Sequence, residues 1–333
     1  MKIIIPMAGR GTRLRPHTLT VPKPLVEIAG KSIVRRLVED LATAYDGTVD
    51  EIAFIIGDFG EQAEKDLIQL AESLGAKGSV YYQKEKLGTA HAILCAKESL
   101  EGNVIVAFAD TLFKSDFTLD TEQDGLLWVQ KVADPSAYGV VTLNEAGVIK
   151  EFVEKPAEFV SDLAIIGIYY FKDGAYLRDE LQYLLDNDLK DRGEYQITDA
   201  LENMKNKGSQ FKTLSIEEWL DCGNKDAVVY ATERVLEIKK EAATVSESCQ
   251  QENSVIIPPC FIDEGVVLKN AVVGPHVSIG KNCHVIDAVV SKSIIQNDSL
   301  VQNVVIENSI LGAHASYKAT KSELSISDYS KIR

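Results

Sequence analysis

From residue 256 the chain keeps a beat that few folds can use. Aliphatic residues recur at Ile256, Ile262, Leu268, Val273, Ile279, Val285, Ile295, Val301, Ile306 and Leu311, mostly six positions apart and in places five. Small or compact residues follow four positions later at Cys260, Val266, Val277, Cys283, Ser299 and Ala315. A hexapeptide beat belongs to a parallel β-helix, in which each face supplies one inward aliphatic residue per coil. The turns take Gly, Asn or Asp, as at Gly274, Gly280, Asn297 and Asn308. The expectation is a short left-handed β-helix over 254–333, with roughly 18 residues per coil and three to four coils. So small a helix buries little by itself, so it is expected to pack on the preceding part of the chain or on a partner subunit, as in a homo-oligomer. Residues 244–253 are polar and aperiodic and read as a linker.

Residues 1–243 follow another pattern and are read as one larger domain. Strand-like runs at 2–6, 51–57, 79–83 and 103–109 alternate with helical patterns at 33–44, 61–74 and 89–99. Ser32 can cap the first helix, and Ile33, Leu37, Val38 and Leu41 share one face of it. This alternation predicts an α/β, Rossmann-like domain whose ligands sit at the carboxyl ends of parallel strands. From residue 124 strands at 126–132, 138–143, 148–154 and 164–171 follow one another without helices, which makes the sheet mixed. Helical patterns return at 174–185, 196–206 and 225–243.

The first strand runs straight into Gly9-Arg10-Gly11-Thr12-Arg13-Leu14-Arg15-Pro16, and then Pro22-Lys23-Pro24-Leu25. Residues 1–36 carry eight Lys/Arg and one carboxylate, Glu27, in a chain of formal charge −15. A positive loop on an acidic protein points to a small polyanion. Gly9 and Gly11 let backbone N–H groups approach phosphate oxygens, and Arg13 and Lys23 supply countercharge. The spacing is neither a P-loop nor the three-glycine dinucleotide fingerprint.

With these motifs on the page, the chain resembles the sugar-1-phosphate nucleotidylyltransferases, marked by G-x-G-T-R-L-x-P, P-K-P-L and G-K. Later motifs extend the resemblance over essentially the whole chain. It implies transfer of a nucleotidyl group from a nucleoside triphosphate to a sugar 1-phosphate, with Mg²⁺ as cofactor. The nucleotide is expected at Ala8, Gly9, Gly11, Thr12, Gln83, Gly88 and Thr89. Gln83 can give and take one hydrogen bond each, matching the N3–H and a carbonyl of uracil or thymine. Gln83-Lys84-Glu85-Lys86-Leu87-Gly88-Thr89-Ala90 resembles the element of uridylyl and thymidylyl transferases, so dTTP or UTP and glucose 1-phosphate are expected. N-acetylglucosamine 1-phosphate uridylylation and mannose 1-phosphate guanylylation are the alternatives, and a non-catalytic regulatory subunit is the reading from another class.

Asp110 ends an apolar strand, where a carboxylate is costly unless paired or metal-bound. The resemblance places the metal on Asp110 and on Asp221 of Trp219-Leu220-Asp221-Cys222-Gly223. It departs from the family pattern at Phe108-Ala109 and at Asn224. It puts the sugar phosphate on Tyr138, Gly139, Glu154, Lys155, Gly167 and Glu194. Catalysis would need no covalent nucleophile, only Arg13, Lys23 and Lys155 neutralising charge around an in-line displacement. His276, His284 and His314 fall on the β-helix, which is short and lacks an evident inserted loop for a second, acyl-transferring site.

The acidic balance argues against nucleic-acid or anionic-membrane partners, and no apolar run reaches the ~20 residues of a membrane span. Five widely spaced cysteines without a C-x-x-C, and arginines directly after the first apolar residues, suit reduced thiols in a cytoplasmic protein.

Overall fold

The computed structural model describes residues 1–9, 11–114, 119–323 and 325. Arg10 of the basic loop and the tail of the expected β-helix domain lie outside them. The chain forms two compact units. One holds Met1–Val26 and Ser32–Gly223, and the other holds Glu27–Lys31 and the chain from Asn224 onward.

In chain order, β1 (Lys2–Pro6) is followed by the short pair β2 (Glu27–Ile28) and β3 (Lys31–Ser32) and by α1 (Ile33–Thr43). Next come β4 (Glu51–Ile56), α2 (Glu61–Ser73), β5 (Lys77–Tyr82), α3 (Thr89–Leu94), β6 (Val104–Ala107) and β7 (Thr111–Lys114). Ser32 caps α1 by accepting from the Arg35 N–H, and Ile33, Leu37, Val38 and Leu41 are buried on one face. All six residues of β4 are buried, as a strand covered on both faces requires. The expected helix over 89–99 is shorter: α3 stops at Leu94 and a 3₁₀ turn spans Lys97–Ser99.

The antiparallel part comprises β8 (Gly125–Lys131), β9 (Gly139–Leu143), β10 (Ile149–Glu154) and β11 (Leu163–Phe171). Then follow α4 (Gly174–Asp186), α5 (Ile197–Asn206), β12 (Phe211–Ser215), β13 (Glu218–Asp221) and α6 (Lys225–Ile238). The main sheet has the order β10-β9-β11-β6-β1-β4-β5, with β8 joining β11 and β12 joining β8. Its β6-β1-β4-β5 block is parallel, while β11 runs antiparallel to β6, β8 and β9. This is the mixed Rossmann-like sheet the alternation predicts. The parallel block aligns the carboxyl ends of β6, β1, β4 and β5 along one edge of the sheet, which is where its ligands belong. A separate ribbon pairs β13 with β7 and brings Asp221 opposite Thr111, next to Asp110.

The second unit is a left-handed parallel β-helix of three sheets, one with five rungs and two with four. Gln250 pairs with Val267, Val267 with His284, His284 with Leu300 and Leu300 with Ser316, so coils run 17 and then 16 residues. Residues 244–253 are not a free linker. Their Gln250–Glu252 forms the first rung, and Val245 bridges Ile262. Inward residues Ile262, Leu268, Val273, Ile279, Val285, Ile295 and Val301 are buried as the repeat predicts. Val290 fills the one gap in it. The corners are carried largely by Asn and Asp at positive φ, among them Asn253, Asn270, Asp287 and Asn303, residues that tolerate the left-handed region. Of the four turn residues expected, Gly274 and Asn308 have positive φ.

Helix α6 belongs to this unit, not to the first. Asn224 caps it by accepting from the Ala227 N–H, which gives that departure from the family pattern a structural use. Lys225 Nζ donates to the Asn308 carbonyl at 2.8 Å. The β2–β3 pair is tied to the β-helix as well, through Ala29 N–H to Ser278 Oγ (3.1 Å) and Gln296 Nε2 to the Glu27 carbonyl (2.9 Å).

Candidate active site

The basic loop is built tightly. After β1, Gly11 takes φ +57, and a Cβ on it would stand 2.8 Å from Lys23 Cβ and 3.1 Å from Thr18 Cγ2. Thr18 Oγ1 donates to the Gly11 carbonyl at 2.7 Å, and buried Leu14 anchors the 3₁₀ turn Thr12–Leu14. Arg13 is thereby left exposed beside Gly223. Lys23 is the opposite case: it is 9% exposed, and its Nζ donates to Asp110 Oδ2 at 2.7 Å.

Two clefts of the first unit meet at this loop. The first, of about 370 Å³, is lined by Ala8, Gly9, Gly11, Thr12, Arg13, Lys23, Gln83, Gly88, Thr89, Asp110 and Glu194, with Pro6, Met7, Lys86 and Gly223 among others. The second, of about 320 Å³, is lined by Tyr138, Gly139, Glu154, Lys155, Gly167 and Asp221, with Ile165, Ile166, Gln196 and Trp219 among others. Arg13, Thr89, Phe108, Asp110 and Glu194 line both. Every residue expected to hold the nucleotide, the sugar phosphate or the metal therefore lines one cleft or the other. Glu194, expected only with the sugar, stands at the junction.

The junction is electrostatically uneven. Burial pushes the Asp221 carboxyl above its ordinary range, and the Asp110 charge pushes it further. Lys23, Arg13 and the Gly223 N–H pull it back down without prevailing. The Cys222 N–H donates to the Asp110 carbonyl at 2.9 Å and locks the β7–β13 ribbon at this point. Tyr138 meets Trp219 edge-on, with ring centroids 4.9 Å apart, and its hydroxyl is pushed up by burial and then by Asp221. Lys155 has φ +41, and its Nζ pairs with Glu154 Oε1 at 3.1 Å. Thr198 Oγ1 reaches Glu154 Oε2 at 3.4 Å.

Some parts are built differently from expectation. Gly88 is needed for close approach to protein: a Cβ there would meet the Tyr195 carbonyl oxygen at 2.4 Å and its nitrogen at 2.7 Å. The Thr89 hydroxyl is committed within the fold, donating to Gln196 Oε1 at 3.0 Å and accepting from the Ile197 N–H at 2.9 Å. Gln83 donates from Nε2 to the Gly88 carbonyl at 3.3 Å and stands 3.2 Å from His91 Nδ1. His17 lies in the basic loop, where contact with phosphate would be expected, but it is partly buried, which lowers its pKa, and it is not among the residues lining either cleft. Trp219 is legible only as a member of the motif around Asp221, and nothing in the spacing of Gln196 marks it as a cleft wall.

In the second unit Glu233, Glu237 and His276 could hold a divalent cation, with donor atoms within 4.8 Å of one another. Glu233 Oε2 also lies 3.8 Å from Lys292 Nζ. All five cysteines are free. Among the described residues no helix is long and apolar enough to cross a membrane.

Comparison with known proteins agrees with this geometry. Residues 2–238 match the family model described as nucleotidyl transferase. The glucose-1-phosphate thymidylyltransferase of Streptomyces antibioticus is 29% identical over 94% of this chain and 92% of its own length. The mannose-1-phosphate guanylyltransferase catalytic subunit beta of Drosophila pseudoobscura pseudoobscura is 37% identical over 54% of this chain and 50% of its own. A solved UDP-glucose pyrophosphorylase complexed with UDP-glucose superposes with a TM-score of 0.59 and 26% identity, over 72% of this chain and 98% of that one. This chain belongs to the nucleotidyl transferase family, as a sugar-1-phosphate nucleotidylyltransferase that moves a nucleotidyl group from a nucleoside triphosphate onto a sugar 1-phosphate.

Proposed function

We propose that the chain transfers a thymidylyl or uridylyl group from dTTP or UTP to glucose 1-phosphate, releasing pyrophosphate. The observation that carries the reading is the wall shared by two clefts, where Arg13 and Asp110 face both and Lys23 and Asp221 stand at their junction. In this reading the first cleft takes the triphosphate, with backbone N–H groups of Ala8, Gly9, Gly11 and Thr12 around the phosphates and Gln83 and Gly88 at the base. The second takes the sugar 1-phosphate, with Glu154 and Glu194 on hydroxyls, Lys155 on the phosphate, and Tyr138, Gly139 and Gly167 shaping the walls.

A phosphate oxygen of the sugar attacks the α-phosphorus in line, and pyrophosphate leaves on the side of the basic loop. Arg13 steadies the leaving charge, while Lys23 and Lys155 draw the attacking phosphate in against its repulsion. The pair Asp110 and Asp221 fits a hard divalent cation: both donors are carboxylates, and Asp221 is held up by burial and by its neighbour's charge. Mg²⁺ bound there would neutralise charge on the phosphates.

The base and sugar rest on Gln83 and on the names of the Streptomyces relative and the UDP-glucose pyrophosphorylase. The higher identity of the Drosophila relative, over a shorter stretch, favours guanylylation of mannose 1-phosphate as a second reading. A pyrophosphate-release assay over a grid of nucleoside triphosphates and sugar 1-phosphates tests both. The proposal expects Mg²⁺-dependent release with dTTP or UTP and glucose 1-phosphate. Release only with GTP and mannose 1-phosphate would select the second reading, and no release would refute both. We also read the chain as a cytoplasmic homo-oligomer. The free cysteines support the first part. The second part is supported by an outward ladder of Val255, Val272, Val289 and Val305, in which Val305 is 80% exposed. Light scattering tests it.

A further inference from the structure

Gln83 follows β5 and reaches over the loop that opens α3. Its Nε2 lies 3.3 Å from the Gly88 carbonyl oxygen and 3.2 Å from His91 Nδ1. A carbonyl oxygen only accepts, so the end of the amide facing Gly88 is its nitrogen. The second hydrogen of that nitrogen then has His91 Nδ1 as its partner. Nδ1 must carry a lone pair, and the imidazole is the neutral Nε2–H tautomer. Burial holds the His91 pKa below its ordinary value, while Glu85 pulls the other way through its charge and its backbone carbonyl. Both amide hydrogens of Gln83 are spent within the protein. What Gln83 offers to the first cleft, which it lines, is the acceptor Oε1.

We propose that His91 is a positioning residue that locks the Gln83 amide so that only an acceptor faces the nucleobase. The lock admits bases whose Watson–Crick ring nitrogen carries a hydrogen, namely uracil, thymine and guanine. It rejects those with a lone pair there, cytosine and adenine, because a lone pair would face Oε1. This rests on reading the first cleft as the nucleotide site, and it changes what Gln83 does. A glutamine free to give and take would not tell a uracil edge from a cytosine edge, since rotating the amide serves either one. His91 removes the rotation without touching the ligand.

UTP and CTP differ at this edge and isolate the effect. Wild type should favour UTP in kcat/KM, chiefly through KM. In His91→Ala the amide loses one of its two anchors, and the UTP/CTP ratio should fall by about tenfold. Acid should act on wild type in the same direction. Once His91 is protonated, Nδ1 donates and opposes the amide hydrogens. The ratio should therefore drop below the ordinary histidine range in wild type and stay flat with pH in His91→Ala. Nitrogen-15 NMR of wild type at neutral pH should show the Nε2–H tautomer at His91, a readout that needs no variant to fold. An unchanged ratio in folded His91→Ala, a wild-type preference for CTP, or an Nδ1–H tautomer would each overturn the lock. Absence of turnover with every nucleotide would refute the functional reading instead, and the NMR result would still decide the tautomer.

Discussion

Gly88→Ala tests whether the two halves of the catalytic unit are held together as described. Gly88 has φ 113 and ψ −179, a region essentially reserved for glycine, where a side chain costs about 1–3 kcal/mol. The added Cβ would also stand 2.4 Å from the Tyr195 carbonyl oxygen, a backbone atom that cannot rotate away. Relieving such a clash by backbone shift costs about 1–3 kcal/mol more. The shift would strain the Ala90 N–H to Tyr195 carbonyl bond (2.9 Å) and the Tyr195 N–H to Leu87 carbonyl bond (2.8 Å), which join the nucleotide-side loop to the segment entering α5. The expected loss is therefore about 2–6 kcal/mol. Urea unfolding followed by tryptophan fluorescence reads this unit, because the two tryptophans, Trp128 and Trp219, both lie in it. Among variants that remain folded, kcat/KM should fall as well, since Gln83 donates to the Gly88 carbonyl. A change below about 0.5 kcal/mol, the range of an ordinary surface substitution, would refute the close approach of these backbones.

What the sequence shows well is whatever repeats or clusters locally. The hexapeptide beat marks most of the β-helix core, because each inward aliphatic obeys a short period; Val290 falls in its one gap, and Ile256, Ile306 and Leu311 are only partly buried. The Gly11 loop is legible because its glycines and cations lie together in sequence. Long-range pairings are not marked by any period: Lys23 meets Asp110 across 87 residues, and no spacing predicts it. Gly88 illustrates a subtler gap. Its presence signals a close approach, but not that the approaching group is the Tyr195 backbone. Residues 244–253 look like a linker because a first coil has only one neighbouring rung to match, and so its side chains stay polar and exposed. His91 carries no signal of its own, since its function depends on which end of the Gln83 amide Gly88 has already fixed.

Lys23→Met keeps the buried stem but removes the Nζ bonded to Asp110. The carboxylate is 38% exposed on its side chain and can take up water, so stability should change by under about 1 kcal/mol while kcat falls at least about 100-fold. Near-normal turnover in a pyrophosphate assay would contradict the role given to Lys23. Asp221 is raised in the folded chain, so at neutral pH its charge costs stability, and that cost disappears as pH falls through the folded pKa. Asp221→Asn should accordingly raise the urea midpoint of the tryptophan transition at neutral pH, lose the gain in acid, and abolish turnover; a lowered midpoint at neutral pH would count against the electrostatic account. In the β-helix, Leu268 is fully buried between neighbouring rungs, and Leu268→Ala should cost about 2–5 kcal/mol, read by circular dichroism on denaturation. A loss under 0.5 kcal/mol would mean the coil collapses around the cavity.

In the proposed function nucleotidyl transfer takes place at the wall shared by the two clefts, and Asp110 is the position there on which it depends most directly. Asp110→Asn keeps the shape, lowers the charge that repels Asp221 and weakens the partner of Lys23. The decisive measurement is pyrophosphate release by this variant and by wild type, with nucleoside triphosphate, sugar 1-phosphate and Mg²⁺ present, alongside circular dichroism to confirm folding. Wild type should need all three components, and folded Asp110→Asn should lose turnover by about 1,000-fold or more. Turnover in the variant within a few-fold of wild type would contradict it.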